Sequence, residues 1–137
     1  MSRILYAWEL GGGQGHIRNF LPVAAQLCRL GHRLSALVKD PAAVTPLLMP
    51  LGIETRQAAL SASLPPPQAA PLNYAHMLGG FDYSDAPALR RRVELWRAAY
   101  AALRPDLIVA DHAPTAVLAA RGTYIRCATY GPGFCVP

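Results

Sequence analysis

The stretch Gly11-Gly12-Gly13-Gln14-Gly15-His16 joins an apolar run, Ile4-Leu5-Tyr6-Ala7-Trp8, to a segment with helical periodicity. A glycine-packed turn between a strand and a helix lets another molecule approach the backbone closely. His16 is the one side chain of this turn that takes up a proton near neutral pH. Loop and histidine together point to an enzyme site rather than a bare scaffold.

The rest of the chain repeats the rhythm. A strand over residues 3–8 precedes a helix over 17–30, whose face carries Ile17, Phe20, Leu21, Ala24, Leu27 and Cys28. These positions follow the spacing of one helical stripe. Pro22 delays or bends that helix, and Gly31 is placed to stop it in a left-handed cap. Residues 33–38 read as a second strand, Asp40-Pro41 as the start of a helix to about residue 51, and residues 53–58 as a weaker strand after Gly52. Residues 59–83 interrupt the pattern. Pro65-Pro66-Pro67 and Pro71 exclude regular structure, and a short helix fits within residues 73–81. Such an insert serves as a lid, a binding loop or a mobile segment.

Ser84-Asp85 opens a further helix to about Leu103, with Leu89, Val93, Trp96, Tyr100 and Leu103 on one stripe. Arg90, Arg91, Arg92 and Arg97 fall mostly off it. They read as a solvated face or, more sharply, as a patch facing phosphate or lipid. Pro105-Asp106-Leu107-Ile108-Val109-Ala110-Asp111 is a short buried strand ending in an acid. A helix over 113–120, Gly122 and a strand over 124–130 follow. The last residues, Gly131 to Pro137, form a Gly/Pro-rich loop rather than a finished element. Alternating strands and helices of this kind give a doubly wound, Rossmann-like parallel α/β sheet, with the ligand crevice at the carboxyl ends of its strands. His16 and Asp111 each fall just past a strand end, and Glu9 is a lesser candidate for the crevice wall.

Composition narrows the class. The apolar fraction is 53 % and the charged fraction 15 %, which suits a single folded domain. The net charge of +5, almost all arginine, suits anionic partners or serves simply to solubilise. No nucleic-acid binding module accompanies it, so no nucleic-acid partner is expected. Cys28, Cys127 and Cys135 lack CxxC spacing, so neither a disulfide framework nor a metal site is expected. Met1-Ser2-Arg3 leads directly into the first strand, which suggests a cytoplasmic chain, and no run is long enough to span a bilayer. Membrane contact would be peripheral.

The glycine loop can be tested against familiar motifs. The dinucleotide fingerprint GxGxxG finds Gly11 and Gly13 but meets His16 in place of its third glycine, with Asp40 at the distance of the ribose acid. The triphosphate loop GxxxxGK[ST] fails. A Gly-Gly-x-Gly-His turn ending in a catalytic histidine remains.

On these residues the chain resembles the GT-B glycosyltransferases. Gly11 to His16, followed by Gly31-His32-Arg33-Leu34, is similar to the opening of the lipid-linked GlcNAc transferase (family 28-like) type and of the UDP-glycosyltransferases. Pro105 to Asp111 resembles the "PDLVVAD" strand of their amino-terminal domain. Asn19 stands where many members have proline, and Gln14 where the lipid-linked type has glycine, which leaves the acceptor class open. The resemblance implies that residues 1–137 form the amino-terminal, acceptor-binding half of a two-domain GT-B fold. The nucleotide-sugar domain would then lie outside this chain, and no cofactor would be needed.

It further implies His16 as the catalytic base and Asp111 as the carboxylate that orients it. Gly12, Gly13, Gln14 and Gly15 would form the acceptor or phosphate loop. Asp111 could instead cap the helix near Ala113, and His112 competes with it. His32 reads as a helix-exit residue, and His76 lies in the irregular insert. The implied partners are a small or lipid-linked acceptor and a nucleotide sugar bound mainly by the second domain. A partner chain of a split two-chain enzyme and an NAD(P)-binding domain are the alternatives.

Overall fold

The computed structural model describes residues 1–64 and 70–131. The Pro65-Pro66-Pro67 break and the Gly/Pro-rich ending at residues 132–137 lie outside the described residues.

Five short segments become five parallel strands: β1 (Arg3–Trp8), β2 (Arg33–Val38), β3 (Glu54–Gln57), β4 (Leu107–Asp111) and β5 (Arg126–Tyr130). Their order is β3-β2-β1-β4-β5. The chain winds outward from β1 in one direction, then returns to the other side of β1. The doubly wound sheet expected from the alternating pattern is thus the observed one, and its order reverses between β1 and β4. Helices α1 (Gly15–Arg29) and α2 (Pro41–Leu48) connect the first half, α3 (Tyr74–Gly79) and α4 (Ala86–Leu103) lead into β4, and α5 (Pro114–Ala120) precedes β5.

Side-chain alternation along β1 divides the core. Ile4, Tyr6 and Trp8 pack with Ile17, Phe20 and Ala24 of α1 and with Val44 and Leu48 of α2. Leu5 and Ala7 face the other way, onto Trp96 and Tyr100 of α4 and Ala116 and Ala119 of α5. Each fully buried side chain of the size of Ile17 or Phe20 contributes about 1.5–3 kcal/mol.

Local chemistry sets the helix ends. Pro22 is accommodated inside α1. At the exit of α1, Gly31 has φ 81°, and the amides of Gly31 and His32 donate to the carbonyls of Cys28 and Leu27. This is the paired closure that a left-handed glycine permits. His32 also accepts from the Ser2 amide at 3.3 Å, in keeping with a helix-exit residue. Asp40, Asn73 and Asp85 cap α2, α3 and α4 by accepting from the amides of Ala43, His76 and Ala88. Asp40 is therefore engaged in a cap at the position where a dinucleotide site would use it. Among the described residues no helix is long and apolar enough to cross a membrane.

The arginine run departs from the expected solvated face. Arg90, Arg91 and Arg97 are exposed, but Arg92 is buried. Its Nη1 donates to Asp82 Oδ1 at 2.6 Å and its Nε to Thr115 Oγ1 at 3.1 Å, with Glu9 Oε1 3.6 Å away. Its guanidinium also lies over the Tyr83 ring. Helical spacing places Arg92 beside Trp96 on the inward face, and the buried Glu9 with the partly buried Asp82 makes that position tolerable. Removing Arg92 would leave Glu9 buried without its cation. Arg92→Ala should cost about 3–5 kcal/mol in urea unfolding, while Arg91→Ala should stay within about 0.5 kcal/mol.

Candidate active site

The turn after β1 and the end of β4 meet where the strand order reverses. Parallel register sets Trp8 beside Asp111. Tyr6, Trp8, Val109 and Asp111 then share the α1 side of the sheet, and the first turn of α1 brings His16 over them. His16 Nδ1 and Asp111 Oδ1 are 2.7 Å apart. The second carboxylate oxygen, Oδ2, accepts from the Tyr6 hydroxyl at 2.8 Å. Asp111 is buried, whereas the His16 side chain keeps 15 % of its surface open to solvent. The two residues singled out in the sequence are thus in direct contact. Asp111 does not cap α5: that helix has Ala113 at its N-cap and no cap from its side chain.

Tyr6 was not foreseen. It stacks on Phe20 with centroids 4.1 Å apart. Burial, and then the neighbouring Asp111 charge, push its hydroxyl well above the usual phenol range, so it stays a neutral donor. Trp8 stacks on the His16 ring at 5.5 Å, and its indole donates to the Leu10 carbonyl. The imidazole is therefore fixed by a carboxylate below and an indole beside it. The signal was in the sequence as parity: positions 4, 6 and 8 share one face of β1. A continuous apolar run conceals that a phenol sits among them.

Glu9 is no crevice wall. It is 1 % exposed. It accepts from the Thr115 amide at 2.9 Å, at the start of α5, and from the Tyr83 hydroxyl at 3.0 Å. The capping task that Asp111 could have taken belongs to Glu9. Burial raises its carboxyl above the usual range, against the opposing pull of Thr115, Tyr83 and Arg92. These contacts brace the turn 111–115 from behind, and the Leu10 amide donates to the His112 carbonyl.

The loop glycines divide into two kinds. Gly11 has φ 89°, and a Cβ there would stand 2.7 Å from His16 Nε2 and 3.2 Å from His112 Nδ1. Gly12, Gly13 and Gly15 face open space. Gln14 turns toward α2: its amide oxygen accepts from Arg18, and its nitrogen lies 3.4 Å from the Ala43 carbonyl. Lys39 donates to the Gly11 carbonyl at 2.8 Å. A cavity of about 150 Å³ opens between this loop and the start of α2, with Trp8, Lys39 and Asp40 in its wall.

His112 adopts φ 47°, an uncommon left-handed conformation for a residue with a side chain. Its ring lies 5.9 Å from that of His16 and 6.2 Å from that of Tyr74 in α3. Its Nε2 is buried without a hydrogen-bond partner. Burial, then the His16 charge, hold its pKa below the ordinary range. His76 lies in α3, and no group of metal-ligating side chains occurs among the described residues.

No protein-family model matches this chain, and no curated protein matches it. Solved structures do. The glycosyltransferase of kitacinnamycin aligns at 22 % identity and a TM-score of 0.63, over 93 % of this chain and 30 % of that one. Glycosyltransferase SsfS6 of Streptomyces sp. SF2575 aligns at 16 % identity and 0.64, over 98 % of this chain and 42 % of that one. MurG of Acinetobacter baumannii aligns at 18 % and 0.58, over 94 % and 33 %. SsfS6 has also been crystallised with thymidine diphosphate. The fold is thus the Rossmann-like α/β fold of GT-B glycosyltransferase domains. The chain spans from 30 % to 42 % of the length of these three proteins.

Two outcomes follow from the site geometry. Gly11→Ala should displace the His16 ring and cost about 1–2 kcal/mol from its backbone conformation alone, whereas Gly12→Ala should leave the His16 NMR resonances in place. For His112, the unfolded chain takes up a proton near the ordinary imidazole value of 6.5, while the folded chain resists it. Stability is therefore full above that value and falls as pH drops below it. Urea titrations from about pH 7 to about pH 5 should show a steeper loss for the parent than for His112→Asn; equal slopes would contradict this assignment.

Proposed function

We propose that this chain is the acceptor-binding part of an inverting glycosyltransferase, with His16 as general base and Asp111 as its orienting carboxylate. The observation that carries this reading is the 2.7 Å contact between His16 Nδ1 and Asp111 Oδ1 at the reversal of strand order. Ligands of open α/β sheets bind at such a reversal. The fold shared with glycosyltransferases supports the same reading.

The chemistry runs through the far nitrogen of the ring. With Nδ1–H donated to Asp111, the basic lone pair is on Nε2, beside Gly11. An acceptor hydroxyl in the cleft attacks the anomeric carbon of the sugar from the face opposite the leaving group. Its proton passes to Nε2 as the new glycosidic C–O bond forms. The old anomeric C–O bond breaks, the nucleoside diphosphate departs with the electron pair, and the anomeric centre inverts. Asp111 stabilises the imidazolium without taking its proton. The Tyr6 hydroxyl holds the second carboxylate oxygen and so keeps the carboxylate plane turned to the ring.

The open Gly12, Gly13 and Gly15 backbone gives room for the acceptor, either a small molecule or a lipid-linked one. The nucleotide sugar is held mainly by a second domain beyond this sequence. The thymidine diphosphate complex of SsfS6 supports a nucleoside diphosphate as the leaving group.

The test is kinetic, in the enzyme that joins this chain to its donor domain. His16→Ala should lower kcat by about a hundredfold or more, and Asp111→Asn should fall in the same range. A loss of less than about tenfold for His16→Ala would remove it as the base.

A further inference from the structure

Parallel strands start along one edge of a sheet and end along the other, and the helices between them run back. The two edges of this domain therefore differ in charge. Arg3 and Arg33 are direct register partners at the starts of β1 and β2, and Arg126 opens β5 beside Leu107. Arg29 closes α1, Arg104 caps α4 and Arg121 follows α5, so these three reach the same edge. All six are exposed. The acids at this amino edge, among the described residues, are Asp106 and Glu54. Asp106 accepts from the Arg3 amide, and Glu54 pairs with Arg56. Glu9, Asp40, Asp82, Asp85 and Asp111 all lie toward the opposite edge, with Arg18 and Lys39, and Glu94 is exposed midway along α4.

The amino edge is also partly apolar. Met1, Leu30 and Tyr124 are exposed among its arginines. The Ser2 amide bonds to His32, which ties the Met1 end to the turn bearing Leu30. A cavity of about 480 Å³ opens on this edge between Arg3, Arg97 and Arg104, with Tyr100, Pro105 and Ile125 as apolar wall.

We propose that this amino edge docks on the anionic surface of a lipid bilayer, with phosphate headgroups against the arginines and Met1, Leu30 and Tyr124 entering the headgroup layer. Arginines draw a protein to acidic lipids over about a Debye length, and apolar or aromatic side chains hold it there. A soluble polyanion would use the arginines alone, so the interspersed apolar side chains favour the bilayer. The site containing His16 then faces away from the membrane, about 20 Å across the sheet, which favours the small-molecule acceptor over the lipid-linked one. The proposal stands apart from the catalytic reading, since no residue of the dyad lies on this edge.

Co-sedimentation of the chain with phosphatidylcholine vesicles, with and without phosphatidylglycerol, tests it. Binding should need phosphatidylglycerol and be lost at about 1 M salt. Arg104→Glu with Arg126→Glu should weaken it about tenfold or more, with circular dichroism unchanged. Leu30→Ser with Tyr124→Ser should weaken vesicle binding while leaving retention of the chain by inorganic polyphosphate unaltered. His16→Ala should change neither. Equal binding to neutral vesicles, or no effect of the arginine pair, would overturn the proposal. Vesicle binding indifferent to Leu30 and Tyr124 would also overturn it, in favour of a soluble polyanion.

Discussion

The parallel register of β1 against β4 is the constraint on which the site rests. It sets Trp8 beside Asp111 and puts Tyr6 one step behind, on the same face. A slip of one residue would turn Asp111 to the α4 side and bury it among alanines. The apolar faces of both strands hold the register, since each buries alternate residues on opposite sides. The His16 contact is thus a consequence of core packing as much as of its own hydrogen bond.

Two buried acids near this junction do different work. Asp111 has its two oxygens occupied by a phenol and an imidazole, one of them partly open to solvent. Glu9 spends its oxygens on the Thr115 amide and the Tyr83 hydroxyl, with Arg92 beside it. The first arrangement leaves a titratable ring facing the cleft. The second ties the segment around Asp82 and Tyr83 to the start of α5, so that the turn bearing Asp111 and His112 is held from two sides. Burial alone does not separate such roles; the identity of the partners does.

Much of this was legible in the sequence. Strand and helix periodicities gave the sheet, and the loop and the strand-end acid gave His16 and Asp111. Capping residues such as Asp40 and Asp85 marked helix starts by their own chemistry. What remained hidden depends on contacts between distant segments. Tyr6 reads as one more apolar residue until the register sets it against Asp111. Arg92 reads as part of a basic run until α4 is packed and Asp82 and Glu9 arrive from elsewhere. Glu9 follows β1 and Asp111 closes β4, so position alone could not say which would cap and which would orient. The strand limits also moved: β4 and β5 begin later than their apolar patterns, because Pro105 and Tyr124 belong to the approaches rather than to the ladder.

The glycines that make the loop conspicuous are not equally required. Only at Gly11 does the missing side chain leave the space that the two imidazoles occupy. Gly12 and Gly15 have no such neighbour and no left-handed backbone, and Gly13 has only the backbone demand. The histidine pocket itself therefore hangs on Gly11, while Gly12, Gly13 and Gly15 bear on the open side of the loop, where the proposed acceptor sits. A side chain at Gly11 would thus disturb the two imidazoles, whereas one at Gly12 or Gly15 would change only what the loop can admit.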